Sequence, residues 1–226
     1  MLYKYILLLT SLFALTLSAT SQDMTGKDLK DHMLIEMTKK TDHSVTEFEG
    51  SPFLNEQFVT GTVYSSNKKY GAIPLRYNIF NDQMEFQQNN NIYALYPEPR
   101  VTKVILGEET YVVEKHDVKG KMAYGYLTRL DSGKMILLSK KVVRFTERQE
   151  AKALQSSATP AKFTRVQDVY YYKIGDGDVT KVGSLKNLIE SLPDKHEELS
   201  SYAKKEKLTT RSAEDLKKLS AYYNNL

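Results

Sequence analysis

Apolar and polar side chains alternate most regularly in the segment 73–80. Its odd positions are apolar or aromatic, namely Ile73, Leu75, Tyr77 and Ile79. This period of two predicts a β-strand with one buried face. Asn81 and Asp82 interrupt the alternation, and Met84 and Phe86 resume it. We therefore predict a tight hairpin with Asn81 and Asp82 at its tip, because short polar side chains tolerate the turn backbone.

The same theme continues along the next part of the chain, where short strands are separated by turn residues. The predicted strands span 58–64, 70–80, 83–87, 92–95, 101–106, 111–115, 123–130, 134–139 and 142–145. Turns at intervals of about 8 to 12 residues are typical of an antiparallel meander that forms a sandwich or a partly open barrel. Pro97 and Pro99 cannot donate ladder hydrogen bonds, so the chain should leave one sheet edge before Val101.

Helical spacing appears at the two ends of this β-rich region. Leu29, Met33 and Met37 recur every four residues and predict a short amphipathic helix within 25–39. At the other end, Ser184 and Ser212 are predicted N-caps of two helices, and Pro193 suits the first turn of a helix between them.

Changes in composition divide the chain after residue 146 into further segments. Segment 147–162 is rich in Ala, Gln and Ser, and predicts a linker or a short helix that runs into one. A β-hairpin is predicted from 164–174 and 179–182. The predicted organisation is therefore a β domain at 22–146, a linker at 147–163, and a hairpin with a three-helix unit at 164–226. This fold class is mainly β within an α+β chain.

The first residues predict export. Lys4 precedes an apolar stretch at 6–17, and small residues follow at Ser18, Ala19 and Ser21. This order is typical of a secretory signal peptide at 1–21. We predict cleavage after Ser21, with a cut after Ala19 as the nearest competitor. A retained membrane anchor is the alternative, but the stretch is shorter than the roughly 20 residues that a bilayer requires. The expected location is periplasmic or extracellular, with no membrane span in the mature chain.

The overall composition limits the classes of partner that we expect the protein to bind. The chain has no cysteine, so no disulfide stabilises it and a packed core must do so. The net charge is only +4, with lysines and glutamates interspersed, which argues against a nucleic-acid partner. Sixteen tyrosines with no tryptophan indicate sheet packing, with ligand stacking as the alternative.

Four stretches carry a resemblance to a known family. They are IPLRYNIFNDQMEF, GSPFLNEQFVTGTVY, LPDKHEELSSYAKKEKL and EDLKKLSAYYNNL. In them the chain resembles an uncharacterised family of exported proteins from Gram-negative cell envelopes. The resemblance implies export and a β-rich part followed by a helical part. It implies no activity, cofactor or catalytic residue.

Metal and cofactor chemistry finds little support in the sequence. The four histidines lie in unlike segments without the spacing of a helical metal site, and cysteine ligands are absent. Asp176 and Asp178 suggest a calcium loop, but Lys181 and Asn187 occupy the positions that require glycine and glutamate. We therefore predict no cofactor and no metal.

Carboxylates are the remaining acid–base groups in the organised stretch. A hydrolase acting on envelope or extracellular glycans would need two of Asp82, Glu85 and Glu98 across one cleft. However, Asp82 already has a turn role, and the alternation places Glu85 on the solvent side. This hydrolase is the alternative to a protein without catalytic activity.

Arg76, Asn78 and Phe80 share the strand face opposite Leu75 and Tyr77, and are the candidate ligand-binding residues. If this face lines a concavity, Arg76 can hold an anionic head group while Phe80 forms an apolar wall. The alternative is an ordinary polar outer face. The sequence thus predicts a non-catalytic exported envelope protein that binds or scaffolds a protein, glycan or lipid partner.

Overall fold

A computed structural model describes residues 24–33, 36–37, 48–150 and 158–226. The predicted signal peptide and its cleavage near Ser21 lie outside the described residues. Within the described part, 46% strand against 19% helix confirms the mainly β class.

The strands and helices follow one another in the order expected of a β-rich part before a helical part. The strands are β1 (Glu36–Met37), β2 (Phe48–Glu49), β3 (Val59–Ser65), β4 (Lys68–Asn78), β5 (Gln83–Gln88), β6 (Asn91–Leu95), β7 (Val101–Leu106), β8 (Glu109–Val118), β9 (Lys121–Arg129), β10 (Met135–Lys140), β11 (Val143–Thr146), β12 (Ala161–Arg165), β13 (Val169–Ile174) and β14 (Thr180–Lys181). The helices are α1 (Gly26–His32), α2 (Leu185–Ser191), α3 (His196–Lys205) and α4 (Ala213–Asn224).

Eleven of the described strands form one antiparallel sheet that curls into a half-barrel, in the order β1-β6-β5-β4-β3-β7-β8-β9-β10-β13-β14. Strand β3 lies where the chain changes direction across the sheet. The meander β4 to β6 runs out on one side of β3, and β7 to β10 follow on the other. The segment with Pro97 and Pro99 carries the chain from β6 back to β7, which confirms the predicted departure from an edge.

The predicted hairpin is present, with Leu75 opposite Phe86 and Asn78 opposite Gln83. Strand β4 ends at Asn78, however, two residues before the predicted end. The backbone N–H groups of Ile79 and Phe80 donate to the carbonyl of Pro52 instead, at 2.9 and 3.2 Å. A distant segment therefore takes the hydrogen bonds that would have continued the strand.

The predicted N-terminal helix is also shorter than its apolar spacing suggests. Thr25 and Asp28 form a capping box at its start, and Leu29 and Met33 are buried in the main core. Helix α1 ends at His32, and Met37 pairs with Tyr93 of β6 as part of β1. The predicted helix over 25–39 is wrong beyond residue 32, because strand pairing prevails over a weak helical periodicity.

The interior of the half-barrel contains several tyrosines among its aliphatic side chains. The ring of Tyr77 on β4 lies 5.2 Å from that of Tyr111 and 6.0 Å from that of Tyr126, between centroids. The Tyr126 hydroxyl donates to the carbonyl of Leu95 at 3.1 Å, so the curl brings β9 close to the end of β6. The buried tyrosines are Tyr70, Tyr77, Tyr93, Tyr111, Tyr126, Tyr171, Tyr172 and Tyr223. Sheet packing therefore accounts for much of the tyrosine content.

The region after β10 departs from the predicted hairpin and linker. The predicted strand over 164–174 is two strands in different sheets: β12 lies between β11 and β2, whereas β13 pairs with β10. Strand β12 begins inside the predicted linker, of which 151–157 lie outside the described residues. The hairpin of β13 and β14 extends the large sheet, and the division into domains stays a prediction.

Two of the three predicted helix starts are confirmed. The Ser184 hydroxyl accepts from the Asn187 N–H at 3.1 Å, and the Ser212 hydroxyl accepts from the Asp215 N–H at 3.3 Å. Helix α3 begins at His196 rather than around Pro193, because Lys195 adopts a left-handed backbone with φ of 66°. Among the described residues, none of the helices has the length and apolar character needed to cross a bilayer.

Asn224 docks the last helix on β10. Its Oδ1 accepts from the Met135 N–H at 2.8 Å, and its Nδ2 donates to the Met135 carbonyl at 3.0 Å. The side-chain amide thus makes the two hydrogen bonds that a residue of a neighbouring strand would otherwise make with Met135. A Cβ at Gly133 would lie within 2.4 Å of the same amide, so only glycine fits there.

We predict that Asn224→Ala lowers the free energy of unfolding by about 1 to 3 kcal/mol, because the Met135 N–H loses its Asn224 partner and the Met135 carbonyl keeps only the Ser220 hydroxyl at 3.5 Å. Asn225→Ala is the matched control. Its amide contacts only the Ala221 carbonyl on the exposed helix surface, so its effect should stay within about 0.5 kcal/mol. Urea unfolding of the two variants measures the difference, and equal midpoints would contradict this docking role.

Candidate functional site

Arg76 lies at the centre of a charged cluster on the outer face of the sheet. Its Nε and Nη2 donate to one carboxylate oxygen of Glu85 at 2.8 and 2.6 Å, and its Nη1 donates to the Glu56 carbonyl at 3.0 Å. The guanidinium carbon lies 3.8 Å from the ring centroid of Phe53 and 4.5 Å from that of Phe58. These contacts neutralise Arg76 and bind segment 53–58 to β4.

Asn78 belongs to the same cluster. Its Nδ2 donates to the second carboxylate oxygen of Glu85 at 3.2 Å, and its Oδ1 accepts from the Asn81 N–H at 3.1 Å. Glu85 is only 4% exposed, so its predicted solvent-side position is wrong. Its carboxylate accepts from the side chains of Arg76, Asn78 and Gln83, which alternation along β5 cannot reveal.

Phe80 lies apart from Arg76 and Asn78, because β4 ends before it. It joins Phe48, Phe145 and Phe163, which we call the phenylalanine cluster. The Phe163 ring lies 5.2 Å from Phe80, 4.7 Å from Phe145 and 5.3 Å from Phe48, between centroids. Phe80 remains 48% exposed and Phe145 38% exposed. Three of the four rings belong to the small sheet of β11, β12 and β2.

A cavity of about 360 Å³ does lie beside Arg76. Its apolar wall comes from Leu54, Val59, Leu75 and Leu106 rather than from Phe80. Its volume falls at the lower end of the range of small-molecule sites. An anionic ligand here would have to displace Glu85 from the guanidinium.

A second polar cluster lies where β10 separates from β9. The described pairing of these strands stops at Ser139, opposite Thr128. Beyond it, the Tyr126 N–H donates to Oδ1 of Asp82 at 3.3 Å, and the Tyr126 carbonyl accepts from Nζ of Lys140 at 3.0 Å. Two side chains thus satisfy backbone groups that a neighbouring strand would otherwise take.

Asp82 and Lys140 also contact each other. They form an ion pair, and the Tyr77 hydroxyl donates to Oδ1 of Asp82 at 2.7 Å. We call Tyr77, Asp82, His116, Tyr126 and Lys140 the seam cluster. It joins the turn between β4 and β5 to β9 and β10, across the curl of the sheet.

Gly125 has no side chain, and groups of the seam cluster occupy the space next to its Cα. A Cβ at this position would lie 2.5 Å from Cε1 of His116, 2.6 Å from Oδ2 of Asp82 and 3.3 Å from Nζ of Lys140. Any side chain would therefore push these three groups apart. His116 is 1% exposed, and its Nδ1 contacts the Glu114 carbonyl at 3.1 Å. Because a carbonyl only accepts, Nδ1 carries the proton.

Burial dominates the electrostatics of this cluster. It lowers the pKa of the Lys140 amine, against the opposing effect of the Asp82 carboxylate. It also lowers the pKa of the His116 ring, so the imidazole is neutral at pH 7. The pKa of the Tyr77 hydroxyl is raised by burial and by its hydrogen bond to Asp82. These environments penalise the charged forms of all three groups.

The three carboxylates considered for hydrolysis bind three different cations. Asp82 pairs with Lys140, Glu85 with Arg76, and Glu98 with Arg100. The Asp82 carboxylate accepts from the core residue Tyr77, whereas the Glu85 carboxylate accepts from Arg76 and Asn78 on the outer face. In the described part of the chain, no three acidic or histidine side chains are grouped as metal ligands.

Sequence reasoning missed two features. Lys140 and His116 belong to no sequence motif, because only the curl of the sheet brings them close to Asp82. Phe145 and Phe163 come from segments that were interpreted separately as a strand and the end of a linker. At these positions single aromatic residues replace the period-two alternation, and this was the only signal in the sequence.

No protein-family model, no curated protein and no solved structure matches the chain. The resemblance to exported envelope proteins therefore stays a prediction.

We predict that Arg76→Met lowers the free energy of unfolding by about 3 kcal/mol, because it leaves the buried carboxylate of Glu85 without a cation. The control is Arg100→Met, which breaks the exposed pair with Glu98 and should cost less than about 1 kcal/mol. Denaturant unfolding of both variants provides the comparison. Losses of similar size would show that the Arg76–Glu85 pair contributes no more to stability than the exposed pair.

We predict that His116 makes the protein less stable on acidification. Its pKa in the folded state lies below the ordinary value of 6.5. As the pH falls from 6.5 toward the lowered value, the unfolded chain takes up the proton first and folding becomes less favourable. His116→Asn should flatten the change in unfolding free energy between pH 7 and pH 5. An unchanged slope would refute this assignment.

Proposed function

We propose that this chain is an exported, non-catalytic binding module of the cell envelope, and that it docks a partner protein on the phenylalanine cluster. The observation that carries the proposal is the exposure of Phe80 and Phe145 beside a half-barrel whose interior is filled by side chains. Large aromatic side chains that pack against each other at a surface are suited to the centre of a protein interface.

The chemistry of the cluster favours an apolar protein surface over a glycan. Phenylalanine carries no hydrogen-bonding group, and the rings of Phe80 and Phe163 meet edge to face at 75°. A glycan presents hydroxyl groups that require polar partners next to an aromatic face. A partner with exposed aliphatic or aromatic side chains matches this surface better.

The geometry gives less support to the other functions. A glycan hydrolase requires two carboxyl groups about 5 to 9.5 Å apart across one cleft, whereas Asp82, Glu85 and Glu98 are tied to separate cations. A lipid carrier requires an open apolar interior, whereas Tyr77, Tyr111 and Tyr126 fill the half-barrel.

We predict that Phe80→Ser combined with Phe145→Ser lowers capture of a specific envelope protein at least about tenfold, equivalent to about 1.4 kcal/mol. The bait is the protein from Gln22 onward, and captured proteins, glycans and lipids are quantified by mass spectrometry. The control combines Met122→Ser with Tyr124→Ser, which removes apolar side chains that are 55% and 43% exposed on β9.

The control variant should capture the same protein as the unmodified chain. Equal losses in both variants, or no loss in either, would reject the phenylalanine cluster as the docking surface. Capture of a lipid or glycan that depends on Phe80 and Phe145 would support binding by this cluster but replace the proposed partner class.

A further inference from the structure

Lys140 and Asp82 present an amine and a carboxyl group in direct contact within a sheltered part of the fold. Their side chains are 15% and 25% exposed. We propose that the two side chains condense to an amide bond between Nζ of Lys140 and Cγ of Asp82, formed by the folded protein itself. The bond would join the turn between β4 and β5 to β10.

The amine is held in position from several directions. Besides its contact with Asp82, Nζ donates to the Tyr126 carbonyl at 3.0 Å and to the Tyr77 hydroxyl at 3.3 Å. Fixing two reactants in this way replaces a slow bimolecular encounter by a reaction of high effective concentration. The free energy of folding therefore offsets the entropy cost of bringing the two groups together.

The carboxyl group is activated by two donors. The Tyr77 hydroxyl and the Tyr126 N–H both donate to Oδ1 of Asp82, at 2.7 and 3.3 Å. When Nζ adds to Cγ, negative charge develops on this oxygen. Donors already aimed at that atom stabilise the tetrahedral intermediate as an oxyanion hole does.

Attack requires a neutral amine, and the environment favours it. Burial lowers the pKa of Lys140, which eases transfer of one proton from Nζ to the Asp82 carboxylate. His116 lies at the same hollow above Gly125, as Oδ2 of Asp82 does. The proton passes directly between the two groups of the ion pair, and the neutral His116 ring beside them adds no positive charge that would oppose the transfer.

The reaction balances without an oxidant or a cofactor. The Nζ–Cγ bond forms and the Cγ–Oδ2 bond breaks. Oδ2 leaves as water with two protons, both of which come from the original ammonium group. One ammonium and one carboxylate thus become one neutral amide and one water.

Such a bond would suit this chain in particular. The chain contains no cysteine, so a disulfide cannot join distant segments. An amide between Asp82 and Lys140 would close the curl of the sheet and constrain the unfolded chain as a disulfide does. The glycine at position 125 is then required for the chemistry as well as for packing.

The experiment is intact mass measurement of the denatured protein, followed by peptide mapping. We expect a mass about 18 Da below that calculated for the chain from Gln22 onward, which is the loss of one water. After digestion with trypsin, a branched peptide should contain both Asp82 and Lys140, and cleavage after Lys140 should be absent. Lys140→Met and Asp82→Ala should restore the full mass.

Lys141→Ala is the matched control, because the neighbouring lysine pairs with Glu109 and Asp168 instead, and it should keep the loss.

Two results would overturn the proposal. One is a wild-type protein of full mass in which Asp82 and Lys140 occur in separate peptides. The other is a water loss that persists in Lys140→Met, as from a cyclic imide at Asp176. Cyclisation of an N-terminal Gln22 loses ammonia and is distinguished by mass. If a variant fails to fold, the wild-type peptide map still decides.

Discussion

The curl of the large sheet depends on how the backbone of Tyr126 is satisfied once β10 has left β9. Asp82 accepts its N–H, and Lys140 donates to its carbonyl. Because Asp82 lies in the turn between β4 and β5, this hydrogen bonding connects strands that are separated by β3, β7 and β8 in the sheet. Without such partners, two backbone groups would be left unpaired in a sheltered site.

The tyrosine core and the seam cluster depend on each other. Tyr77 places its ring among Tyr111 and Tyr126 while its hydroxyl reaches Asp82. Tyrosine suits this place because its ring buries apolar area and its tip satisfies a polar group. On the outer face, Arg76 plays a comparable role. It pairs with Glu85 and holds segment 53–58 through the Glu56 carbonyl and two phenylalanine rings.

These internal contacts also shape the proposed function. Arg76 and Asn78 are engaged with Glu85, whereas Phe80 and Phe145 of the phenylalanine cluster remain 48% and 38% exposed. The proposed docking surface therefore uses Phe80 and Phe145, while Asp82 in the same turn as Phe80 contacts Lys140 and Tyr126.

Local patterns in the sequence determined the elements themselves. The alternation around Leu75 and Phe86 predicted a hairpin whose strands pair as expected, and Ser184 and Ser212 predicted helix starts through their own hydrogen bonds to the next turn. These signals succeed because strand alternation and helix capping involve residues close in sequence.

Only the tertiary structure decided where β4 and α1 stop, which carboxylate meets which cation, and which aromatics gather at the surface. Strand β4 stops where the Pro52 carbonyl accepts the next backbone N–H groups, and Met37 pairs with β6 instead of continuing α1. The curl of the sheet brings Lys140 into contact with Asp82. Each of these outcomes joins segments far apart in the chain. Periodicity describes which face of a strand is buried, but the partner on that face depends on the path of the whole sheet.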